Sequence, residues 1–145
     1  MNVTLDANIW VVSLSPSDKR QAICCDLLDE ICSNPGITVC SPLLMGVEVF
    51  GSIARINRGD YTKINEAKQM MRMIPSHIWL ALDNWLTAEA SYCATMFRLR
   101  GADAVYVATA LSNNATLVTF DQEIIDRAST ALTVLKPDEW LEMRP

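Results

Sequence analysis

Short apolar runs alternate along this chain with segments whose apolar residues recur at helical spacing, and that alternation restricts the possible folds more than any other feature. The runs fall at 2–5, 37–40, 78–82, 115–119 and 132–135. Between the first two, Ser15-Pro16-Ser17 signals a helix over 18–33, with Ile23, Leu27, Leu28 and Ile31 as its apolar positions, and Asn34-Pro35-Gly36 ends it. Ser41 as N-cap and Pro42 at the first helical position predict a helix running toward Arg58-Gly59. Asp60 is expected to cap the next, which reaches about Met73 before Pro75. A long helix is expected over 84–100, ended by Gly101, then another over 102–111 closed by Asn113-Asn114. A last helix follows Phe120-Asp121 to about Ala131. Without repeats or a low-complexity linker, this order predicts a single α/β domain over residues 1–145. Its central sheet is mostly parallel and flanked by helices on both faces. Such sheets bind ligands beyond the carboxyl ends of their strands.

With 145 residues, half of them apolar, the chain is long enough for one proper core. No stretch approaches the roughly 18 apolar residues of a membrane span, and no basic segment with a hydrophobic signal core opens the chain, so a cytoplasmic protein is expected. Cys24, Cys25, Cys32, Cys40 and Cys93 lack C-x-x-C spacing and read as reduced core thiols. His77, the single histidine, has no second ligand nearby and reads as structural. Met70, Met71 and Met73 read as packing residues. The formal charge of −5 argues against a generic nucleic-acid binder, because Lys and Arg must neutralise phosphate. The negative charge counts for less if several acids are metal ligands, and Arg55, Arg58, Lys63, Lys68 and Arg72 concentrate basicity locally. The same five residues describe a solvated helix face equally well.

Four acids fall where acids are costly. Asp6 and Asp121 directly follow apolar strands, and Glu48 lies inside the apolar run Pro42 to Gly51. An unpaired buried carboxylate is strongly disfavoured, so Glu48 needs a partner. Helical spacing aligns it with Gly51, Ser52 and Arg55, a face that would let an RNA backbone approach; the alternative is an arginine partner with the small residues serving packing. Asp103 stands in the first turn of a helix, where the macrodipole alone favours it. Asp6 and Asp121 could equally be helix N-caps. Asn8 and Thr119 are polar neighbours able to orient carboxylates or hold a water. Taken together, the acids offer the hard oxygen ligands that Mg²⁺ and Mn²⁺ prefer.

Leu5-Asp6-Ala7-Asn8-Ile9, Ser41-Pro42 leading to Glu48 and Arg55, Gly101-Ala102-Asp103-Ala104 with Ala108-Thr109-Ala110, and Leu117-Val118-Thr119-Phe120-Asp121 occur in that order over nearly the whole chain. This pattern resembles the PIN-domain ribonucleases, particularly the VapC-like toxins of prokaryotic toxin–antitoxin pairs. The resemblance implies Mg²⁺- or Mn²⁺-dependent endonucleolytic cleavage of RNA. Asp6, Asp103 and Asp121 would mainly ligate metal, and Glu48 would orient or deprotonate the attacking water. Asn8 and Thr119 would support them, and Arg55 would contact substrate. It also implies an antitoxin partner that blocks the acidic cleft, and a homodimer is expected. Ala7 stands where a hydroxyl residue is frequent, and Phe120 where a polar or basic one is common. Neither departure removes a carboxylate. The main alternative is a PIN-like scaffold that binds RNA or protein without cutting. A phospho-receiver module shares the α/β alternation, but Asp6-Ala7 lacks its acidic pair.

Overall fold

Val3 and Leu5 are wholly buried in β1 (Asn2–Leu5), as expected of a strand covered on both faces. The computed structural model describes residues 1–59 and 61–143, and in it β1 is the middle of a five-stranded sheet. The other strands are β2 (Thr38–Pro42), β3 (His77–Leu80), β4 (Thr116–Val118) and β5 (Val134–Leu135). Their order is β3-β2-β1-β4-β5 and every pairing is parallel. Val3 sets the register on both sides, opposite Val39 in β2 and Thr116 in β4.

Parallel neighbours require crossovers, and the helices supply them. Between β1 and β2 lie α1 (Ala7–Ser13) and α2 (Gln21–Ser33); between β2 and β3, α3 (Leu44–Ile56) and α4 (Tyr61–Met73). The return from β3 to β4 uses α5 (Asn84–Phe97) and α6 (Gly101–Ser112), α7 (Gln122–Ala128) joins β4 to β5, and α8 (Pro137–Glu142) follows. The chain winds outward from β1 to β3 and then back past β1, so right-handed crossovers assign α1–α4 to one face and α5–α7 to the other. Accordingly α1 packs on α2 and α3, whereas α6 packs on β1, β2 and β4. Residues 104–110 of α6 are all buried, which makes it the central helix of its layer. Strand order reverses between β1 and β4, and at such a switch point the loops leave in opposite directions and open a crevice.

The structure departs from the sequence expectations at several boundaries. Ser41 and Pro42 do not start a helix: they pair with Trp79 and Leu80 as the end of β2, and the Leu43 N–H extends the ladder to the Leu80 carbonyl at 2.8 Å. A Ser-Pro pair reads alike at a helix start and at a strand end, and a long-range partner decided between them. Residues 7–13 form α1, a helix that the local pattern does not announce, with Ile9, Trp10 and Val12 buried. The helix signalled by Ser15-Pro16-Ser17 begins only at Gln21, after a turn in which Arg20 grips both carboxylate oxygens of Asp18. Gly101 opens α6 instead of ending α5, which stops at Phe97 with Arg98 in the left-handed region. The expected cap Asp60 lies outside the described residues.

Candidate active site

β1 delivers Asp6 and β4 delivers Asp121, one on each side of the crevice. The Asp6 N–H donates to the Val118 carbonyl at 3.1 Å, carrying the ladder one residue past β1. Oδ1 of Asp6 accepts from the Asn8 N–H at 3.3 Å and so caps α1. Its Oδ2 accepts a 2.7 Å bond from the Thr119 hydroxyl, whose oxygen in turn accepts from the Asp121 N–H at 2.9 Å. One wholly buried threonine thus ties the two strand ends together. Asp121 Oδ1 accepts from the N–H groups of Glu123 and Ile124 at 2.7 and 3.3 Å, capping α7. Both aspartates are therefore helix caps, and capping uses only one oxygen of each.

Asp103, in the first turn of α6, completes the group. Its Oδ2 is buried and has no hydrogen-bond partner. Burial, then the charges of Asp121 and Asp6, push its pKa up to about 6, with Arg100 pulling weakly the other way. Asp6 is raised as well, first by burial and further by Asp121, while the Thr119 hydroxyl opposes the rise. Three carboxylates therefore feel one another's charge across the switch point. Among the described residues, none of the four candidate acids is ion-paired with Lys or Arg.

Glu48 lies on α3 and is linked to the group through Tyr106. It is half-buried, and its partner is a phenol instead of an arginine: the Tyr106 hydroxyl donates to Glu48 Oε2 at 2.6 Å. Tyr106 is 1 % exposed. Burial first, then the glutamate, hold its pKa above the ordinary tyrosine value, so it remains a neutral donor. The Asp6 charge acts in the same direction, which links Tyr106 to the aspartates as well.

Of the remaining expected residues, Asn8 is exposed with its side chain toward Asp6. Arg55 is exposed two turns beyond Glu48, and its guanidinium bonds the Ser52 hydroxyl at 3.0 Å without meeting the acids. Phe120 carries Arg20 over its ring, 4.8 Å from the centroid. The sequence reading missed Tyr106 and Arg100. Tyr106 stands one helical turn after Asp103 as the only large polar side chain among small and apolar ones, a visible but unused signal. Arg100 flanks the Gly101-Ala102-Asp103 motif and lies 3.8 Å from Glu123. His77, the single histidine, bonds Ser41 at 3.0 Å and stacks on Trp79.

The donor set suits a hard divalent cation. It is all carboxylate, none of it is ion-paired with Lys or Arg among the described residues, and it includes a buried oxygen without a partner. Among the described residues, no three acid, histidine or cysteine side chains are gathered closely enough to hold a metal ion as they stand. A bound cation would need these carboxylates to close in around it, offsetting their mutual repulsion.

An all-parallel sheet with acids at its switch point defines a class of α/β domain whose chemistry sits at the carboxyl edge of the strands. The sequence profile of the PIN domain matches residues 3–129, and the chain belongs to the PIN-domain family. Solved structures agree on the fold. The chain is similar to Mycobacterium tuberculosis VapC20, a sarcin–ricin loop cleaving toxin, at a TM-score of 0.70 and 16% identity over 99% of each chain. It is similar to a chain of Neisseria gonorrhoeae FitAcB at 0.69 and 20% identity, covering 94% of this chain and 98% of that one. A chain of Rickettsia felis VapBC2 bound to a promoter DNA fragment gives 0.64 and 15%, with 94% and 98% covered. No curated protein sequence matches significantly.

Proposed function

We propose that this protein is a metal-dependent endoribonuclease and the toxin of a toxin–antitoxin pair. The observation that carries the reading is the buried, unpartnered Oδ2 of Asp103 beside Asp6 and Asp121, none of which is ion-paired with Lys or Arg among the described residues. A carboxylate so placed is costly to leave unpartnered, because burial and two like charges both disfavour its ionised form. Mg²⁺ or Mn²⁺, when bound, supplies the neutralising charge and polarises phosphate and water. Asp6, Asp103 and Asp121 would hold it, with Glu48 contributing from α3. Glu48 orients the attacking water and takes its proton. The water oxygen bonds to phosphorus, the bond to the 3′ oxygen breaks, and that oxygen leaves as a hydroxyl after protonation from solvent. The products carry a 5′-phosphate and a 3′-hydroxyl, whereas attack by the 2′-hydroxyl would leave a cyclic phosphate.

The toxin assignment draws on the structural likeness to VapC20 and to chains from toxin–antitoxin complexes such as VapBC2. The partners it calls for are RNA, a cognate antitoxin and a second copy of the chain. Exposed apolar side chains support partners: Trp85, Tyr92 and Met96 project from α5, and Leu43, Val47 and Trp79 border a groove of about 880 Å³ between α3, α4 and β3. No helix among the described residues is long and apolar enough to cross a membrane.

The test is cleavage of mixed RNA by partner-free protein with Mg²⁺ or Mn²⁺ and with EDTA, comparing wild type with Asp6→Asn and Glu48→Gln. Metal-dependent cutting lost in both variants, with 5′-phosphate ends, is the expected result. Cutting that survives EDTA would overturn the mechanism. Metal binding without cutting would favour the alternative, a PIN-like scaffold that binds RNA or protein.

A further inference from the structure

Glu48 is the one acid of the four whose only hydrogen bond among the described residues comes from another element's side chain; Asp6 accepts from Thr119 but is also held by the Asn8 N–H. Asp6 and Asp121 sit at strand ends and cap helices through backbone N–H groups, and Asp103 sits at a helix start. Glu48 lies mid-helix on α3 with no cap to orient it, and among the described residues its only side-chain bond comes from Tyr106, 58 residues away on α6. At 2.6 Å this is a short charge-assisted O–H···O⁻ bond, the stronger kind. The phenol is closed in by the core, so its hydroxyl has no freedom to swing to solvent. The Ala7 backbone N–H also faces the phenol oxygen, which leaves the hydroxyl proton free to point at Glu48.

We propose that Tyr106 is the positioning residue of this site, fixing the Glu48 carboxylate through Oε2 so that Oε1 and the full negative charge face the acids across the crevice. The inference rests on the nuclease reading above. A neutral donor is the partner that this task needs. An arginine would hold the carboxylate equally firmly, but it would cancel the charge that a cation and a water proton both require. An apolar neighbour would leave the carboxylate free to turn. Tyr106 stands one turn beyond Asp103 on the same helix, so a single rigid element sets the spacing between a metal ligand and the anchor of the base.

The experiment is steady-state cleavage by the full-length chain, wild type and Tyr106→Phe, across a Mn²⁺ titration, with melting followed by circular dichroism. Phenylalanine keeps the ring and removes only the donor. The expected result is a kcat lower by roughly 10- to 100-fold, the usual loss when a partner of a ligating group is removed. KM for RNA should stay within about twofold, and half-saturating Mn²⁺ should rise, as expected of an effect on ligand orientation. As a measurement independent of cutting, Mn²⁺ binding should weaken in Tyr106→Phe but not further when Tyr106→Phe is added to Glu48→Gln. Wild-type kcat in Tyr106→Phe overturns the inference and leaves the nuclease intact. A kcat loss that merely follows the folded fraction, with Mn²⁺ dependence unchanged, overturns it too. A wild type that cuts no RNA under any metal condition overturns the nuclease reading, and the inference with it.

Discussion

Asp103 carries a cost that the metal-free fold does not recover. Its folded-state pKa of about 6 lies above the 3.8 of an unperturbed aspartate, so the folded chain holds the proton more tightly than the unfolded one. Stability from this group therefore falls as pH rises from about 4 to about 6 and stays at the lower level above. Denaturant unfolding without divalent metal should show a more stable protein at pH 5 than at pH 7. Asp103→Asn should flatten part of that difference and stabilise the metal-free protein at pH 7 by on the order of 1 kcal/mol, after allowance for solvent screening of a partly exposed group. A slope unchanged in Asp103→Asn would assign the effect to other carboxylates. The same residue was only half legible in the sequence. An acid in a first helical turn has an ordinary explanation in the helix dipole, and its unpartnered oxygen becomes visible only once α6 is packed against the sheet.

At the scale of elements, the connection from α5 to α6 decides where Asp103 stands. Arg98 adopts φ 55° and ψ 41°, which allows Leu99 N–H to bond the Ala94 carbonyl at 3.1 Å and turns the chain sharply into α6. A side chain there costs about 1–2 kcal/mol of left-handed strain, and glycine would recover it less about 0.5–1 kcal/mol of added unfolded-state entropy. Arg98→Gly should therefore raise stability by about 0.5–1 kcal/mol in urea unfolding, because the Arg98 carbonyl that accepts from Arg127 is retained. Destabilisation would mean that the arginine side chain matters more than the backbone. Sequence patterning misjudged this junction for a physical reason: glycine is the usual left-handed residue, so Gly101 drew the helix end, while the chain turned three residues earlier at an arginine. It also missed α1, whose β-branched Ile9, Val11 and Val12 suit a strand equally well.

For the whole molecule, the proposed metal site and a net charge of −5 make divalent metal the expected stabiliser of the native state. An ion that binds only the folded form adds stability by mass action, about 2.7 kcal/mol at a hundredfold excess over Kd. Mn²⁺ should raise the melting temperature of the wild type, and Asp6→Asn should blunt the rise; an equal shift in both would locate metal binding elsewhere. The alternation of strands and helices, the mostly parallel sheet and the choice of candidate acids were legible in the sequence, because they depend on local periodicity and on the cost of placing charge among apolar residues, whereas α1 and α8 were not. What only the tertiary structure decided is which of those residues meet. Thr119 reaches Asp6 across 113 positions and Tyr106 reaches Glu48 across 58, and both contacts depend on the reversal of strand order between β1 and β4. No local pattern encodes that reversal, since it follows from how the crossovers pack their helices on opposite faces of the sheet.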